Sequence, residues 1–481
     1  MSETNEEKEL KKIVMKFGGT SVATGKNIRH VAKLIADYAG KDCSVVAVVS
    51  ALEDVTNQLI QAAEEAKKGN REYIHKFKQE ILERHLATAK EAIEDKQLEN
   101  EIEIVLKARA GELEQVLTGI AFVGELTPKS RDNVLSFGEK LSAPIVSGAL
   151  EDIGLNSQHL TGGEAGIVTD SNFGEAGLLM NFTKFQVKRK IEPLLNKGAV
   201  PVITGFIAGT QDGETTTLGR GGSDYTATIM GAALDSDEVW IWTDVNGLMT
   251  SDPKIVHSAK TIPELSFQEA TELTIFGAKA MHPRALEPAR KEGIPVRIRN
   301  VFDPSNPGTL IVKEQKIKTE NGVKAVTLVR NVAVITVSGT GMVGAPGTAA
   351  KVFEVLGKEN INILMISQSV SEANISLVIQ RNLLERAVNT LEIALLGRDF
   401  IREIMSEDDV CVIAVLGAGM KGMPGVASRI FTAVAREGIN VRMIAQGSSE
   451  SNISFVVSEE DSIKTVNALH KSFQLDKINT T

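Results

Sequence analysis

Apolar residues recur along this chain in two registers that alternate. From Ile13 to Phe17 they form a short run, "IVMKF", which Gly18 and Gly19 break. Over "NIRHVAKLIADYA" they return at Ile28, Val31, Leu34 and Ile35, the spacing of one helix face. "SVVAVVS" is apolar on both sides of an extended chain, as in a strand inside a parallel sheet. Strand, turn, helix, strand predicts a sheet flanked by helices. From Thr56 to about Gly124 the pattern turns helical and charged, with one apolar stripe through "EEAKKGNREYIHKFKQEILERHLATAKEAIEDKQ". Its charges read as the solvated face of a helical insertion. The alternation then resumes: "RDNVLSFGEKLSAPIVSGALE" as helix, "AVPVITGF" as strand, "SDYTATIMGAAL" as helix, then "EVWIWTDV" and "IPVRIRNV" as strands. The break "DPSNPGTLI" at 303–311 and the polar "KEQKIKTENG" after it predict a domain boundary near 305–325.

Beyond that boundary the chain repeats itself. "VAVITVSGTGMVGAPGTAAKVF" from Val332 recurs as "VCVIAVLGAGMKGMPGVASRIF" from Val410, an ungapped offset of 78 residues with 23 of 45 positions identical over 332–376 and 410–454. Each unit reads strand, loop, helix, strand, strand, helix, and resembles the ferredoxin-like ACT regulatory domain. "GTGMVG" (339–344) and "GAGMKG" (417–422) match the dinucleotide fingerprint, with Glu359 and Glu437 about twenty residues on. That fold needs two βαβαβ halves, and each repeat is about half that total. A further turn, "APG" or "MPG", also precedes each helix. The glycines are better read as effector loops. "KAVTLVR", before the first repeat, suits pairing with either unit.

At 481 residues the chain exceeds one ordinary core, so two or three domains are expected. The expected division is a polar tail over 1–12, a catalytic region over 13–310 with its helical insertion at 56–124, and repeats over 325–400 and 405–481. Aromatics are only 4%, so the cores must be aliphatic. A net charge of -9 argues against nucleic-acid binding, which needs basic stripes. Cys43 and Cys411 lie in apolar strand-like runs and suggest no disulfide or metal framework, and seven histidines show no paired ligand spacing. No apolar run approaches the ~20 residues of a membrane span, and "MSETNEEKELKK" lacks an apolar leader core, so a cytoplasmic protein is expected.

Five segments carry candidate chemistry. In "MKFGGTSV" the glycines would let backbone N–H groups approach phosphate oxygens, and Lys16 could place a point charge on them. Alone, the segment is also a plain tight turn. In "TTTLGRGGSDYTA" (215–227) Ser223 or Asp224 suits a helix N-cap. Arg220 between glycines is not explained by capping and fits carboxylate or phosphate recognition. In "WIWTDVNGLMTSDPK" (240–254) Thr243 and Asp244 end a buried strand, where open α/β sheets bind ligands. In "FGAKAMHPRALEPA" (276–289) Lys279 opens a helix, a position that favours an anion over a cation. In "SFGEKLSA" (136–143) Glu139 sits among small residues of an apolar-periodic helix, either facing solvent or receiving an ammonium group.

These segments, with the tandem ACT-like repeats, occur in this order in aspartate kinases, and the resemblance covers essentially the whole chain. It implies an amino-acid-kinase α/β/α sandwich around a mostly parallel sheet, followed by two ACT domains. No homoserine dehydrogenase module follows the second repeat, so a monofunctional form is expected. The resemblance assigns Lys16 to the transferring phosphoryl group and Gly18, Gly19 and Thr20 to the phosphate loop. Ser50, Thr56 and Phe206 fall to the aspartate pocket, Glu139 to the substrate ammonium, Arg220 and Ser223 to its carboxylate, and Asp224 to orienting the lysine. Thr243, Asp244 and Lys279 match nucleotide contacts. Met249 and Lys254 stand on the nucleotide side, where many relatives have tyrosine and arginine. ATP with magnesium, held through the ATP phosphates, is the implied co-substrate. Gly341, Met342, Gly347, Asn362, Gln368, Asn440 and Gln446 are the candidate effector residues. Threonine is favoured over lysine, because both repeats keep the glutamine and neither puts an acid there. A homodimer or dimer of dimers through the repeats is expected. The alternatives are another amino-acid kinase, acting on glutamate or acetylglutamate, and a non-catalytic amino-acid sensor.

Overall fold

The structure is a computed structural model that describes residues 10–40, 43–277, 281–315, 322–339, 342–371, 373–396 and 401–477. The chain divides into two compact units. The first comprises Met1–Leu248, Pro263–Phe267 and Ala280–Glu314, and the second Met249–Ile262, Gln268–Lys279 and Gln315–Thr481.

The first unit opens with β1 (Lys11–Phe17), α1 (Gly25–Tyr38) and β2 (Cys43–Val49). The charged insertion is three helices, α2 (Val55–Lys67), α3 (Arg71–Ala92) and α4 (Lys96–Val123). Then come α5 (Pro128–Leu135), α6 (Phe137–Asp152), β3 (Ser157–Leu160), α7 (Gly162–Ala165), β4 (Val168–Thr169) and α8 (Met180–Leu195). The chain continues through β5 (Val200–Thr204), β6 (Ile207–Thr210), β7 (Thr215–Thr217), α9 (Gly222–Leu234), β8 (Glu238–Thr243) and β9 (Glu264–Ser266). After α10 (Phe267–Ile275) follow α11 (Glu287–Glu292), β10 (Val296–Asn300) and β11 (Thr309–Val312). Eight strands form one sheet in the order β3-β5-β2-β1-β8-β10-β11-β9, parallel except for the β10–β11 pair. The expected α/β/α sandwich with a mostly parallel sheet is what forms. Its core is aliphatic, built on Ile13, Met15, Val45, Val49, Ile28 and Val31.

Three local readings are corrected. The single helix expected over "RDNVLSFGEKLSAPIVSGALE" breaks at Ser136, which ends α5 and begins α6. The Ser136 hydroxyl donates to Asn133 O at 2.6 Å, a back-bond that competes with the helix ladder. "AVPVITGF" ends as a strand at Thr204, and after Phe206 the chain enters a separate small sheet, β4-β6-β7. The proline-glycine break at 303–311 already contains the start of β11.

The second unit contains β12 (Ala325–Ser338), α12 (Thr348–Lys358), β13 (Ile363–Gln368), β14 (Asn374–Gln380) and α13 (Leu384–Leu395). The second repeat gives β15 (Glu403–Leu416), α14 (Val426–Arg436), β16 (Met443–Gln446), β17 (Asn452–Ser458) and α15 (Ser462–Ser472). The 78-residue offset maps β12 onto β15, α12 onto α14 and β14 onto β17 at both ends. All six strands form one sheet, β13-β14-β12-β15-β17-β16. "KAVTLVR" pairs with the second repeat, since Ala325–Val329 lies against Val412–Leu416, and Glu403–Glu407 returns the exchange against Val334–Ser338. Two segments expected in the catalytic region 13–310, Met249–Ile262 and the Gln268–Lys279 stretch that holds α10 beyond Phe267, also compact here. Val256 enters the core of the second repeat with Ile413, Phe455 and Leu469, and Thr250 Oγ1 bonds His470 Nε2 at 2.9 Å.

Candidate active site

Four parallel strands end on one edge of the large sheet. Phe17 of β1 lies opposite Val49 of β2 and Trp242 of β8, and Val49 lies opposite Thr204 of β5. The loops that follow are therefore neighbours: Ser50 N–H donates to Phe17 O at 3.1 Å and Gly205 N–H to Val49 O at 2.8 Å. β1 lies between β2 and β8, so chain order reverses here, and such switch points bind ligands. A cleft of about 690 Å³ opens at this edge.

Lys16, Gly19 and Thr20 enter the cleft from the first loop, Ser50 and Thr56 from the chain after β2, and Glu139 from the first turn of α6. Phe206 lines it from the β5–β6 turn, and Arg220, Ser223 and Asp224 from the glycine hinge before α9. Lys16 Nζ lies 2.5 Å from Asp224 Oδ1, with both side chains about nine-tenths buried. A Cβ on Gly18 would stand 3.4 Å from that ammonium, so glycine leaves the space over it open. Of the two readings of this segment, Ser223 or Asp224 as N-cap does not hold, while Asp224 lies against Lys16 as the orienting reading expects. The α9 cap is Gly221, at φ +70 with no side-chain bond, and Asp224 faces Lys16 instead. A Cβ at Gly221 would fall 2.3 Å from His282 Cβ. Arg220 is exposed, with no side-chain partner among the described residues.

Phe206 holds φ +66, a conformation that costs an aromatic residue energy and is retained where the surroundings force it. Its N–H donates to Thr226 Oγ1 at 3.0 Å and its carbonyl accepts from Leu218 N–H at 2.9 Å. Glu139 is 3% exposed. Backbone N–H groups of Ala51 and of Glu139 itself favour its carboxylate, but burial outweighs them and pushes its pKa up to about 8. Its Oε2 has no hydrogen-bond partner among the described residues. A buried acid with an orphan oxygen fits a site shaped for a ligand group.

The sequence reading missed part of this cleft. Asp132, 1% exposed, accepts from Thr217 Oγ1 (2.7 Å), Thr217 N–H (3.1 Å) and Gly174 N–H (2.9 Å), which fixes α5 to the strand feeding the hinge. Arg131 and Asp54 also line it, Asp54 at φ +65. Asp132 and Arg131 had one signal, their place four and five residues before "SFGEK", and nothing in it gives their partners. Thr243 ends β8 and Asp244 follows it at the same sheet edge, the Thr243 hydroxyl donating to Asp244 Oδ1 at 3.1 Å, without either lining the cleft. Met249 bridges Thr261, and Lys254 is exposed with its N–H on Asp252 Oδ1; both belong to the second unit. Lys279 lies outside the described residues.

In the second unit Met342, Gly347 and Gln368 line a cleft of about 330 Å³ at the first repeat's loop. Asn362, Asn440 and Gln446 are exposed and do not line it. Gly341 lies outside the described residues. Among the described residues no helix is long and apolar enough to cross a membrane.

Residues 11–300 match the amino acid kinase family, and 335–395 and 413–473 match the ACT domain. Aspartokinase 1, chloroplastic, of Arabidopsis thaliana is 37% identical over 467 residues, covering 96% of this chain and 80% of the relative. The chain belongs to the aspartokinase family. The structure of E. coli aspartokinase III in complex with aspartate and ADP matches with a TM-score of 0.79 at 30% identity, over 96% of this chain and 99% of that one. The same enzyme in complex with lysine and aspartate matches at 0.80, again at 30% identity and 96% and 99% coverage. The chain spans 51% of a bifunctional aspartokinase/homoserine dehydrogenase of Arabidopsis thaliana at 34% identity. The loop carrying Lys16, Gly19 and Thr20, the glycine hinge with Arg220, and the buried Glu139 line one cleft.

Proposed function

We propose that this chain transfers the γ-phosphoryl group of ATP to the side-chain carboxylate of L-aspartate, giving 4-phospho-L-aspartate and ADP, the first step toward lysine, threonine and methionine. The observation that carries the reading is the buried Glu139 Oε2, unpaired among the described residues, in the same cleft as the Lys16–Asp224 pair and Arg220. Glu139 would take the substrate ammonium, and Arg220 with Ser223 its α-carboxylate. The side-chain carboxylate is then directed toward Lys16. Ser50, whose carbonyl is held by Ser142 Oγ at 2.7 Å, with Thr56 and Phe206 would close the pocket.

The acceptor carboxylate, with pKa about 3.9, is ionised at neutral pH and needs no general base. One carboxylate oxygen forms a bond to Pγ as the bond from Pγ to the β-bridging oxygen breaks and ADP departs. Catalysis is then positioning plus stabilisation of charge on the phosphoryl oxygens, by Lys16 and the N–H groups of the Gly18–Thr20 turn. Asp224 holds Lys16 in place. Magnesium would arrive on the ATP phosphates and neutralise part of their charge. The site fits that arrangement, since its phosphate side offers donors from Lys16 and the loop that follows it. Thr243 and Asp244, on the same sheet edge, are proposed nucleotide contacts.

The repeats would bind an end-product amino acid and shift the enzyme between two states. Lysine is bound in the E. coli relative. The cleft here is lined by Met342, Pro346, Thr348 and Gln368 without a carboxylate among the described residues, which favours a neutral side chain, and threonine over lysine. A homodimer or dimer of dimers through the repeats, and a cytoplasmic location, complete the reading. A coupled assay for ADP tests it: release requires aspartate, and asparagine, which lacks the acceptor oxygen, supports none. ADP release with glutamate and none with aspartate would move the chain to another amino-acid kinase activity. Amino-acid binding with no ADP release from any acceptor would favour a sensor.

A further inference from the structure

Arg220 lies between two glycines in the left-handed region, Gly219 at φ +73 and Gly221 at φ +70. Glycine backbone is free to take many directions, so whatever aims the arginine must act from either side of it. Phe206 serves the far side. A Cβ at Gly222 would fall 2.6 Å from Phe206 Cδ2, and Thr226 Oγ1 donates to Gly222 O at 2.8 Å while accepting from Phe206 N–H at 3.0 Å. The Phe206 carbonyl also takes Leu218 N–H at 2.9 Å. That leaves Thr217, the last residue of β7 and three before Arg220, which is held by a carboxylate from another element.

That carboxylate is Asp132 of α5, 1% exposed and itself in the wall of the cleft. Its Oδ1 accepts from the Thr217 hydroxyl at 2.7 Å, and its Oδ2 from Thr217 N–H at 3.1 Å and Gly174 N–H at 2.9 Å. Gly174 belongs to the loop between β4 and α8. This loop is drawn against the same strand end: Ala176 N–H donates to Thr217 O at 3.3 Å, and a Cβ at Gly219 would come 3.9 Å from Gly174 O. The two segments clipped by Asp132 therefore flank the hinge, one in sequence and one in space. A carboxylate buried for stability alone could join any two core segments; this one joins the two that border Arg220. All three partners donate, so both oxygens must accept. Asparagine has one accepting oxygen and an NH2 group, and cannot satisfy the set.

We infer that Asp132 is a positioning residue for Arg220. It fixes where the hinge leaves β7, and so where the guanidinium stands relative to the α-carboxylate of the substrate. This rests on the reading of Arg220 as the α-carboxylate binder and adds the group that aims it. The effect falls on aspartate binding, while charge on the phosphoryl group is left to Lys16.

The test is steady-state ADP release by wild type, Asp132→Asn, Arg220→Ala and the double variant, with circular dichroism as the folding control. Asp132→Asn raises aspartate KM roughly tenfold, the lower end of what a charge-assisted bond supplies, with ATP KM unchanged and kcat lowered by less than about threefold. Arg220→Ala raises aspartate KM further, and adding Asp132→Asn to it brings no additional rise, because the group being aimed is gone. Thr217→Val, which removes the hydroxyl donor, reproduces part of the rise and Thr217→Ser restores the wild-type value; this pair decides the matter where Asp132→Asn does not fold. An aspartate KM unmoved by Asp132→Asn and Thr217→Val, a matching rise in ATP KM, or a rise that adds in full to that of Arg220→Ala overturns the inference and leaves the functional reading standing. Wild type that turns over no aspartate overturns both.

Discussion

Glu139 gives the sharpest consequence of the cleft. With its pKa pushed up to about 8 by burial, the empty site holds it mostly protonated at pH 7, at about ten to one. A substrate ammonium needs the carboxylate, so binding aspartate must expel the proton, at a cost of about 1.4 kcal/mol at pH 7. Calorimetry of aspartate binding in buffers of different ionisation enthalpy measures that proton directly. The expected release is about 0.9 proton per aspartate at pH 7, passing through one half near pH 8. Aspartate affinity should rise about tenfold per pH unit below 8 and level off above it. Glu139→Gln removes the proton and the charge together. Release falls to zero, and aspartate KM rises roughly tenfold to a hundredfold, the range of a charge-assisted hydrogen bond. Proton release that is absent from wild type between pH 6 and 9, or unchanged in Glu139→Gln, refutes the assignment.

Other outcomes follow from the same geometry. The folded state holds the Glu139 proton up to about pH 8 while the unfolded carboxyl loses it near 4.5, so stability of the empty enzyme declines between those values, by at most about 5 kcal/mol. Urea melts of Glu139→Gln should show a flatter profile from pH 5 to 8. Lys16→Ala should lower kcat about a thousandfold with a small change in aspartate KM, since its charge is needed on the phosphoryl group rather than on aspartate. Asp132→Ala leaves Thr217 and Gly174 donors unpaired and should cost about 3 kcal/mol in denaturant melts, whereas Thr217→Val should cost less. Gly221→Ala combines a left-handed φ with a Cβ 2.3 Å from His282, and should lower both Tm and kcat.

Much of this was legible in the residues, and the failures share one cause. The apolar runs at Ile13–Phe17 and "SVVAVVS" could only be buried strands, and the 78-residue repeat fixed two equivalent units before any coordinate. Lys16, Glu139 and Arg220 stood out because each is a charge where local structure offers no reason for one. Asp132 did not stand out, because an aspartate near a helix start is ordinary; its role comes from Thr217, 85 positions away. The same holds for α10, whose sequence looks like any amphipathic helix until Ser451 and Ala418 are placed against it. Periodicity reports which face is buried, and is silent on which distant element buries it. Strand exchange between β12 and β15 was undecidable for a related reason: the two halves are near copies, and each strand suits either partner.

The central claim is acyl-phosphate chemistry on aspartate, and hydroxylamine trapping tests it most directly. Wild type and Lys16→Ala are each incubated with magnesium-ATP, hydroxylamine, and aspartate or glutamate. Aspartyl hydroxamate from wild type, with little or none from Lys16→Ala and little from glutamate, is the result expected of this cleft. Folded wild-type protein that yields no hydroxamate from aspartate would contradict it.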